Sequence, residues 1–355
     1  MNKKYTIIFI SVVAILFVAA LLINSSREDQ IETAPTTNNQ EPTDEREEES
    51  KDSSTETTKP ATSGSVAVTP TSGDGEVFEE IPDSEILSGG PGKDGIPSID
   101  DPKFVSVKKA SFLNNEDIGI ALQAGDEARF YPFQILVWHE IVNDTVGGVP
   151  LAVTYCPLCF TGITYERKLD GKVVEFGVSG MLWKSNLVMY DRTANVADES
   201  LWSQVLGRAI KGPKTGERLT IYPSDTIKFG EWSKAHPDGR VLSRDTGSFR
   251  LYGTDPYGGY YTNRDVSFGA SFSDTRLHPK EFVLGVEIDG QFKAYVSDAL
   301  PVGTTTDTFA GKAITIEKSD ASEVRISADG KSISHIGGFW FSWLAVHENT
   351  ELYTK

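Results

Sequence analysis

A ten-residue pattern in this chain occurs twice. Residues 144–153 read DTVGGVPLAV and residues 307–316 read DTFAGKAITI, so Asp144 falls on Asp307, Thr145 on Thr308 and Gly148 on Gly311 at a constant spacing of 163. Two further blocks keep the order. IGIALQAGDEARFY (118–131) parallels LGVEIDGQFKAY (284–295), with a shorter turn in the second copy, and DGKVVEF (170–176) parallels DGKSISH (329–335). Each copy alternates apolar and polar residues around Asp-Gly or Ala-Gly dipeptides, the pattern of strands joined by tight turns. Single β-hairpins resemble one another by chance; three blocks in one order argue for a repeated unit. The expected fold is therefore mainly β, α+β at its margin. Two related β-units, 117–176 and 282–335, form one large domain with few short helices, and a segment 177–281 is inserted between them.

Helical signals are sparse. Pro132 suits the first turn of a short helix through residues 133–140. Residues 225–236 form a second candidate that ends before Pro237. Residues 338–347 (GFWFSWLAVH) are apolar on all sides, which suits a buried helix.

The N-terminal quarter is a different material. Lys3 and Lys4 precede 19 uncharged residues, Tyr5 to Ile23. As a helix that run is roughly 28 Å long, close to the thickness of a bilayer core. The lysines orient it with the N-terminus in the cytoplasm. A cleaved signal peptide is the competing reading. Ala20 offers a small residue, but Leu21, Leu22 and Ile23 continue the apolar run beyond the length of a signal core. No cysteine lies nearby to take a lipid. Residues 1–24 are thus expected to be an uncleaved transmembrane anchor, and the membrane is the expected partner of this helix. Residues 25–90 hold 17 acidic and 4 basic residues among many Ser, Thr and Pro, a composition expected to form a disordered, self-repelling tether. With that stretch and the two head lysines removed, the net charge of −17 falls to about −6 for residues 91–355. The acidity is a property of the tether, and nothing is basic enough for nucleic acid. The folded part, 91–355, is expected on the extracytoplasmic side, where disulfides are permitted. A protein or small-molecule partner is not specified by composition.

The chain has two cysteines, Cys156 and Cys159, in the run YCPLC. At the corresponding place the second copy has roughly Glu317 to Ser322, without cysteine. Folding the unit therefore does not require the pair. Three readings stay open. A Cys-x-x-Cys pair supports thiol or disulfide chemistry, although no helix follows it and no βαβ pattern surrounds it. Cys-Pro-x-Cys after a strand also resembles a metal knuckle, for Cu or Zn, with His139 as the nearest further ligand and Met181 or Met189 available to Cu(I). The third reading is a structural pair in a cell-surface scaffold, where a loop this short constrains the unfolded chain little. His139 is a candidate catalytic or metal-ligating partner of the cysteines; beside Trp138 it is equally a hydrogen-bonded core residue. Glu140, Asn143 and Asp144 read as caps and turn residues. Trp183, Ser185, Asn186, Asp191, Arg192, Trp202, Gln204 and Lys211 are mixed aromatic and polar residues that could line a pocket or serve as core and turn residues. GGPGKDG (89–95) lacks the spacing and the Ser or Thr of a phosphate loop, and no hydrolase elbow, HExxH or dinucleotide fingerprint occurs.

Several runs together resemble one known family. WHEIVNDTVGGVPLAVTYCPLC (138–159), SGMLWKSNLVMYDR (179–192), LWSQVLGRAIKGP (201–213), HPKEFVLGV (278–286) and FWFSWLAV (339–346) are similar, in order, to the bacterial and archaeal domain of unknown function 3179. The resemblance covers nearly all of 91–355 and implies an extracytoplasmic or membrane-attached protein. It brings no activity with it. One position departs from the family pattern: Phe160 stands where members usually have glycine straight after the second cysteine.

Overall fold

The computed structural model describes residues 78–354. The apolar run 5–23 and most of the acidic stretch lie outside the described residues, and no helix among those described is long and apolar enough to cross a membrane.

In chain order the strands are β1 (Ile86–Ser88), β2 (Phe104–Ser106), β3 (Ile118–Ala124), β4 (Glu127–Pro132), β5 (Ile141–Val146), β6 (Val149–Cys156), β7 (Thr161–Glu166), β8 (Lys168–Leu169), β9 (Lys172–Val173), β10 (Phe176–Trp183), β11 (Asn186–Asp191), β12 (Leu201–Ser203) and β13 (Arg208–Lys211). There follow β14 (Ile221–Tyr222), β15 (Asp225–Lys228), β16 (Arg240–Leu242), β17 (Phe282–Ile288), β18 (Gln291–Val296), β19 (Gly303–Phe309), β20 (Lys312–Lys318), β21 (Val324–Ala328), β22 (Lys331–Ile333), β23 (Ile336–Phe339) and β24 (Glu351–Leu352). The α-helices are short: α1 (Phe133–Leu136), α2 (Phe229–Ala235) and α3 (Trp340–Val346). The protein is mainly β, in several sheets, with few short helices and no barrel.

Each expected hairpin block forms a hairpin, and the same local chemistry closes the matching turns. Gly147-Gly148 and Ala310-Gly311 occupy the left-handed region as pairs (φ 54 and 81, φ 50 and 73), as two-residue turns between right-twisted strands require. Asp170-Gly171 and Asp329-Gly330 do the same, at φ 48 and 76 and φ 48 and 75. The first block differs from expectation in one respect. The β3–β4 and β17–β18 hairpins both turn in two residues, pairing Ala124 with Glu127 and Ile288 with Gln291. The second turn is not shorter, and Gly119 does not correspond to Gly285. Tyr131 Oη donates to Asp144 Oδ2 at 2.6 Å, and Tyr295 Oη to Asp307 Oδ2 at 2.9 Å. The two aspartates thus tie one hairpin to the next rather than only capping a turn.

The segment 177–281 is not a single inserted body. Strand β15 pairs antiparallel with β3, and after α2 strand β16 pairs parallel with β4, placing Arg240 beside Arg129. Strand β23, α3 and β24 treat the second hairpin identically, with Glu351 beside Lys293. Both helices end on a histidine of the same conformation, His236 (φ −124, ψ 64) and His347 (φ −134, ψ 65). Residues 225–242 therefore close the first hairpin sheet. Strands β10 to β13 form, with β1, a sheet of their own in the order β1-β10-β11-β12-β13.

The boundary expected at residue 90 falls inside packed structure. Phe78, Ile81 and Ile86 rest on Trp183, Val188 and Ile210, and β1 pairs with β10. Apolar side chains this close to a β-sheet leave water together, which fixes the segment without a turn signal in its sequence. The 89–95 run continues along the same edge: Gly89 N–H donates to Gly180 O at 2.8 Å and Asp94 N–H to Val178 O at 2.9 Å.

The largest sheet runs β24-β18-β17-β23-β7-β6-β5, with β14 on β7. The three strands β5–β7 of the first half thus continue the hairpin sheet of the second half. They meet it through β7 and β23, where Gly162 faces Gly337. The cysteine turn, between β6 and β7, sits at this junction.

Candidate functional site

Cys156 ends β6 and Thr161 starts β7, paired across the ladder, so Pro157 to Phe160 form the turn. Cys159 N–H donates to Cys156 O at 3.2 Å, closing the turn on itself. Phe160 takes φ 52, the left-handed conformation for which glycine is the usual choice. The knuckle-like backbone thus survives without glycine. Its ring compensates by packing on Phe133, Tyr155, Tyr261, Phe282 and Phe339, the last stacked at 5.1 Å.

The two sulfurs face each other 2.6 Å apart, both cysteines being free and buried. Cys159 Sγ–H points at two neutral acceptors, Asn186 Oδ1 at 2.9 Å and Ser185 O at 3.2 Å. These belong to the β10–β11 hairpin tip, where Lys184 and Ser185 are both left-handed (φ 49 and 67) without being glycine. That strain at an L-residue pair is held by the surroundings. Asn186 Nδ2 bonds Lys184 O at 2.9 Å, and Ser342 Oγ of α3 donates to Asn186 Oδ1 at 2.8 Å. Phe339 N–H donates to Cys159 O at 2.9 Å, so the second half of the chain braces the turn of the first.

A tyrosine-rich segment covers the turn. Tyr260 Oη donates to Leu158 O at 3.1 Å, and Tyr257 and Tyr260 pack on the core that contains both cysteines. Lys280 pins the segment through Tyr260 O and, at 2.7 Å, Asn263 Oδ1. Burial holds the Lys280 ammonium down to about 8. Burial also raises Tyr257, Tyr260 and Tyr261 above the usual phenol range, with the neighbouring cysteines adding to it. Two clefts, of about 410 and 730 Å³, open elsewhere on the described surface, and neither is lined by the cysteines.

Burial is the main force on the Cys159 thiol and pushes it well up; the Cys156 sulfur adds to the effect, as does the charge of Glu140. A thiol in this position rests protonated, the reverse of the low-pKa cysteine beside a cation. Glu140 was expected to be a cap. It sits instead at the start of the β5–β6 pair, its carbonyl accepting Tyr155 N–H at 2.7 Å, in a left-handed conformation (φ 58). Burial pushes its carboxyl up to about 8.

His139 turns the other way. Its Nδ1 lies 2.7 Å from Pro97 O, and a carbonyl only accepts, so Nδ1 carries the proton. Nε2 then accepts from Tyr252 Oη at 2.6 Å. Burial holds this imidazole below its usual range, so it stays neutral. The expected hydrogen bond to a cysteine is not made, and both ring nitrogens are committed. Met181 is partly exposed on β10, whereas Met189 is buried in the cysteine core. Among the described residues no group of three or more His, Cys, Asp or Glu side chains is placed to hold a metal.

The polar and aromatic residues weighed as pocket-lining are mostly structural. Trp183 Nε1 donates to Glu85 Oε2 and Trp202 Nε1 to Asp191 Oδ1, each at 3.1 Å. Asp191 is fully buried and pairs with Lys214 at 2.6 Å. Arg192 binds Asp94 and Asp100 at the surface, Gln204 holds Thr154 Oγ1 and Thr161 O, and Lys211 pairs with Asp83. Asn186 and Ser185 alone of this set touch a cysteine. The reading of the sequence missed Ser342, Tyr257, Tyr260, Tyr261 and Lys280, which come from more than 95 residues downstream with no local signal.

A mainly β domain of several sheets, with a cysteine turn where β7 meets β23, is the class these observations define. The chain belongs to the family described as Protein of unknown function (DUF3179), whose model matches residues 93–334. No curated protein and no solved structure matches it.

Proposed function

We propose that this is a membrane-anchored extracytoplasmic domain whose Cys156–Cys159 pair cycles between dithiol and disulfide. The facing of the two sulfurs carries the reading: disulfide closure needs S–S near 2.05 Å and Cα atoms already close, and a turn that aims both side chains at each other supplies this. The pair is also the chain's whole cysteine content, so no competing partner exists within it. In an oxidising compartment a paired Cys-x-x-Cys is a natural electron donor or acceptor. The dithiol gives two electrons and two protons to an external disulfide, which leaves as two thiols. The buried setting makes this a gated reaction: the tyrosine segment over Leu158 has to lift before an external disulfide reaches Cys156.

The test is thiol counting. Protein purified with reductant should take up two alkyl groups after acid quench and denaturation. After equilibration with oxidised glutathione it should take up none, retain no glutathione, and recover both thiols in dithiothreitol. Two alkylated thiols at every glutathione ratio would overturn the reading. The location is tested separately. Protease added to intact spheroplasts should release a fragment beginning before residue 78, because the chain from there on is packed. A domain protected until lysis would overturn the topology.

A further inference from the structure

We propose that Asn186 and the Ser185 carbonyl hold the cysteine pair in its dithiol form, so that the disulfide is the less stable state and the site takes electrons from a substrate dithiol. This inference rests on the dithiol reading and gives it a direction. Three observations point to it. First, both hydrogen-bond partners of Cys159 outside the pair are acceptors, Asn186 Oδ1 at 2.9 Å and Ser185 O at 3.2 Å, and Cys156 Sγ lies 3.8 Å from the same carbonyl. A thiol fills such acceptors with its proton; a disulfide has no proton to give. Second, both residues are fully buried, and Ser185 O takes no other hydrogen bond among the described residues. Closing the disulfide therefore strips this oxygen of its donor out of reach of water, which costs about tenfold in the equilibrium constant. Third, both oxygens are fixed in place. Asn186 Nδ2 bonds Lys184 O at 2.9 Å, and a carbonyl only accepts, so Oδ1 is the atom that faces the sulfur. Ser185 N–H donates to Phe268 O at 2.8 Å, and the left-handed pair Lys184 and Ser185 (φ 49 and 67) carries the strain of the turn. Ser342 Oγ donates to Asn186 Oδ1 at 2.8 Å, so that oxygen keeps one donor when the thiol proton goes, whereas Ser185 O keeps none.

The reaction in this direction starts from the disulfide. One sulfur of the substrate dithiol attacks Cys156 Sγ; the Cys156–Cys159 bond breaks, and Cys159 leaves and takes up the proton of the attacking thiol. Its hydrogen bonds to Asn186 Oδ1 and Ser185 O return with that proton, which favours the step. The second substrate sulfur then attacks the first; the mixed disulfide breaks, and Cys156 leaves with the second proton. The substrate loses two electrons and two protons and becomes a disulfide, and the pair becomes the dithiol. A more oxidising external disulfide restores the pair and leaves as two thiols.

The experiment equilibrates the full-length protein with mixtures of reduced and oxidised glutathione at neutral pH, natively and in concentrated urea, and counts thiols by alkylation after acid quench. In urea the same loop closes without the buried acceptors. For half closure the native wild type should need at least about tenfold more oxidised glutathione, relative to the square of the reduced form, than the unfolded chain. Asn186→Ala removes one acceptor and should lower the native ratio about fivefold. Ser342→Ala should raise it about tenfold, because Asn186 Oδ1 then loses its last donor when the disulfide closes. A general loosening of the site would move both variants the same way. A native wild type that closes at or below the ratio of the unfolded chain would overturn the inference and leave the dithiol reading standing. Variants that shift in the same direction, or not at all, would overturn the role of Asn186. A native pair that never closes, while the unfolded chain does, would overturn both the inference and the dithiol reading.

Discussion

Stability of the domain is expected to be greatest between about pH 4.5 and 6.5 and to fall on both sides. Two buried groups set these limits. Glu140 titrates at about 8 in the folded protein against 4.5 unfolded, and His347 at about 3 against 6.5, each shifted chiefly by burial. The folded state favours protonated Glu140, so its contribution is complete below pH 4.5 and is lost as pH rises through 8. The folded state favours neutral His347, so its contribution is complete above pH 6.5 and is lost as pH falls through 3. Between 4.5 and 6.5 the two slopes cancel. Outside that window one acts alone, at about 1.4 kcal/mol per pH unit, which makes each limb worth about 2 kcal/mol. Asp100, Asp274 and Asp307, lowered on balance by hydrogen bonds and cations against their burial, reinforce the acid limb. Denaturant midpoints across pH 3–9 measure the profile. Glu140→Gln should flatten the alkaline limb. A wild type that gains stability from pH 6.5 to 8, or a variant with an unchanged limb, would contradict the assignment.

Asp191→Ala is expected to destabilise the protein by about 3–5 kcal/mol, the cost of breaking a buried ion pair from one side. Asp191 ends β11 with its side chain fully buried and serves three donors: Lys214 Nζ at 2.6 Å, Ser200 N–H at 2.6 Å and Trp202 Nε1–H at 3.1 Å. Alanine leaves all three without their acceptor, and two cannot turn to water. Asp191→Asn keeps an acceptor for the backbone and indole donors and should cost less than alanine. Equilibrium unfolding of the three proteins checks the order. A loss below about 1 kcal/mol for alanine, the range of exposed pairs, would show that the Lys214 pair is solvated. The same strand begins at Asn186 beside the cysteines, so loosening its end should also speed alkylation of Cys159 in the native state.

The candidate site was half legible. Cys156 and Cys159 stood out as the chain's two cysteines in a tight turn, and their absence from the second copy marked them as dispensable for folding. His139 was the reasonable neighbour because it is close in sequence, yet its ring faces Pro97 and Tyr252. One left-handed residue separates the two outcomes, and Glu140 gives no sequence signal for it, since glutamate rarely adopts that conformation. Phe160 shows the same limit. It stands where the family usually has glycine, yet five aromatic rings pack around it in the left-handed conformation that glycine favours.

The sequence by itself determined what depends on neighbouring residues: the β class, the Asp-Gly turns, and the short helix after Pro132. These follow from φ preferences and side-chain alternation within a few residues, which no distant contact has to supply. Only the tertiary structure decided that β15 and β16 flank the first hairpin, that Phe78 to Ser88 pack against Trp183, and that tyrosines 257, 260 and 261 lie over the cysteine turn. Such pairings join segments about 100 residues apart. Many apolar strands could satisfy them equally well in one dimension, and the choice among them is made by shared burial and edge hydrogen bonding in three.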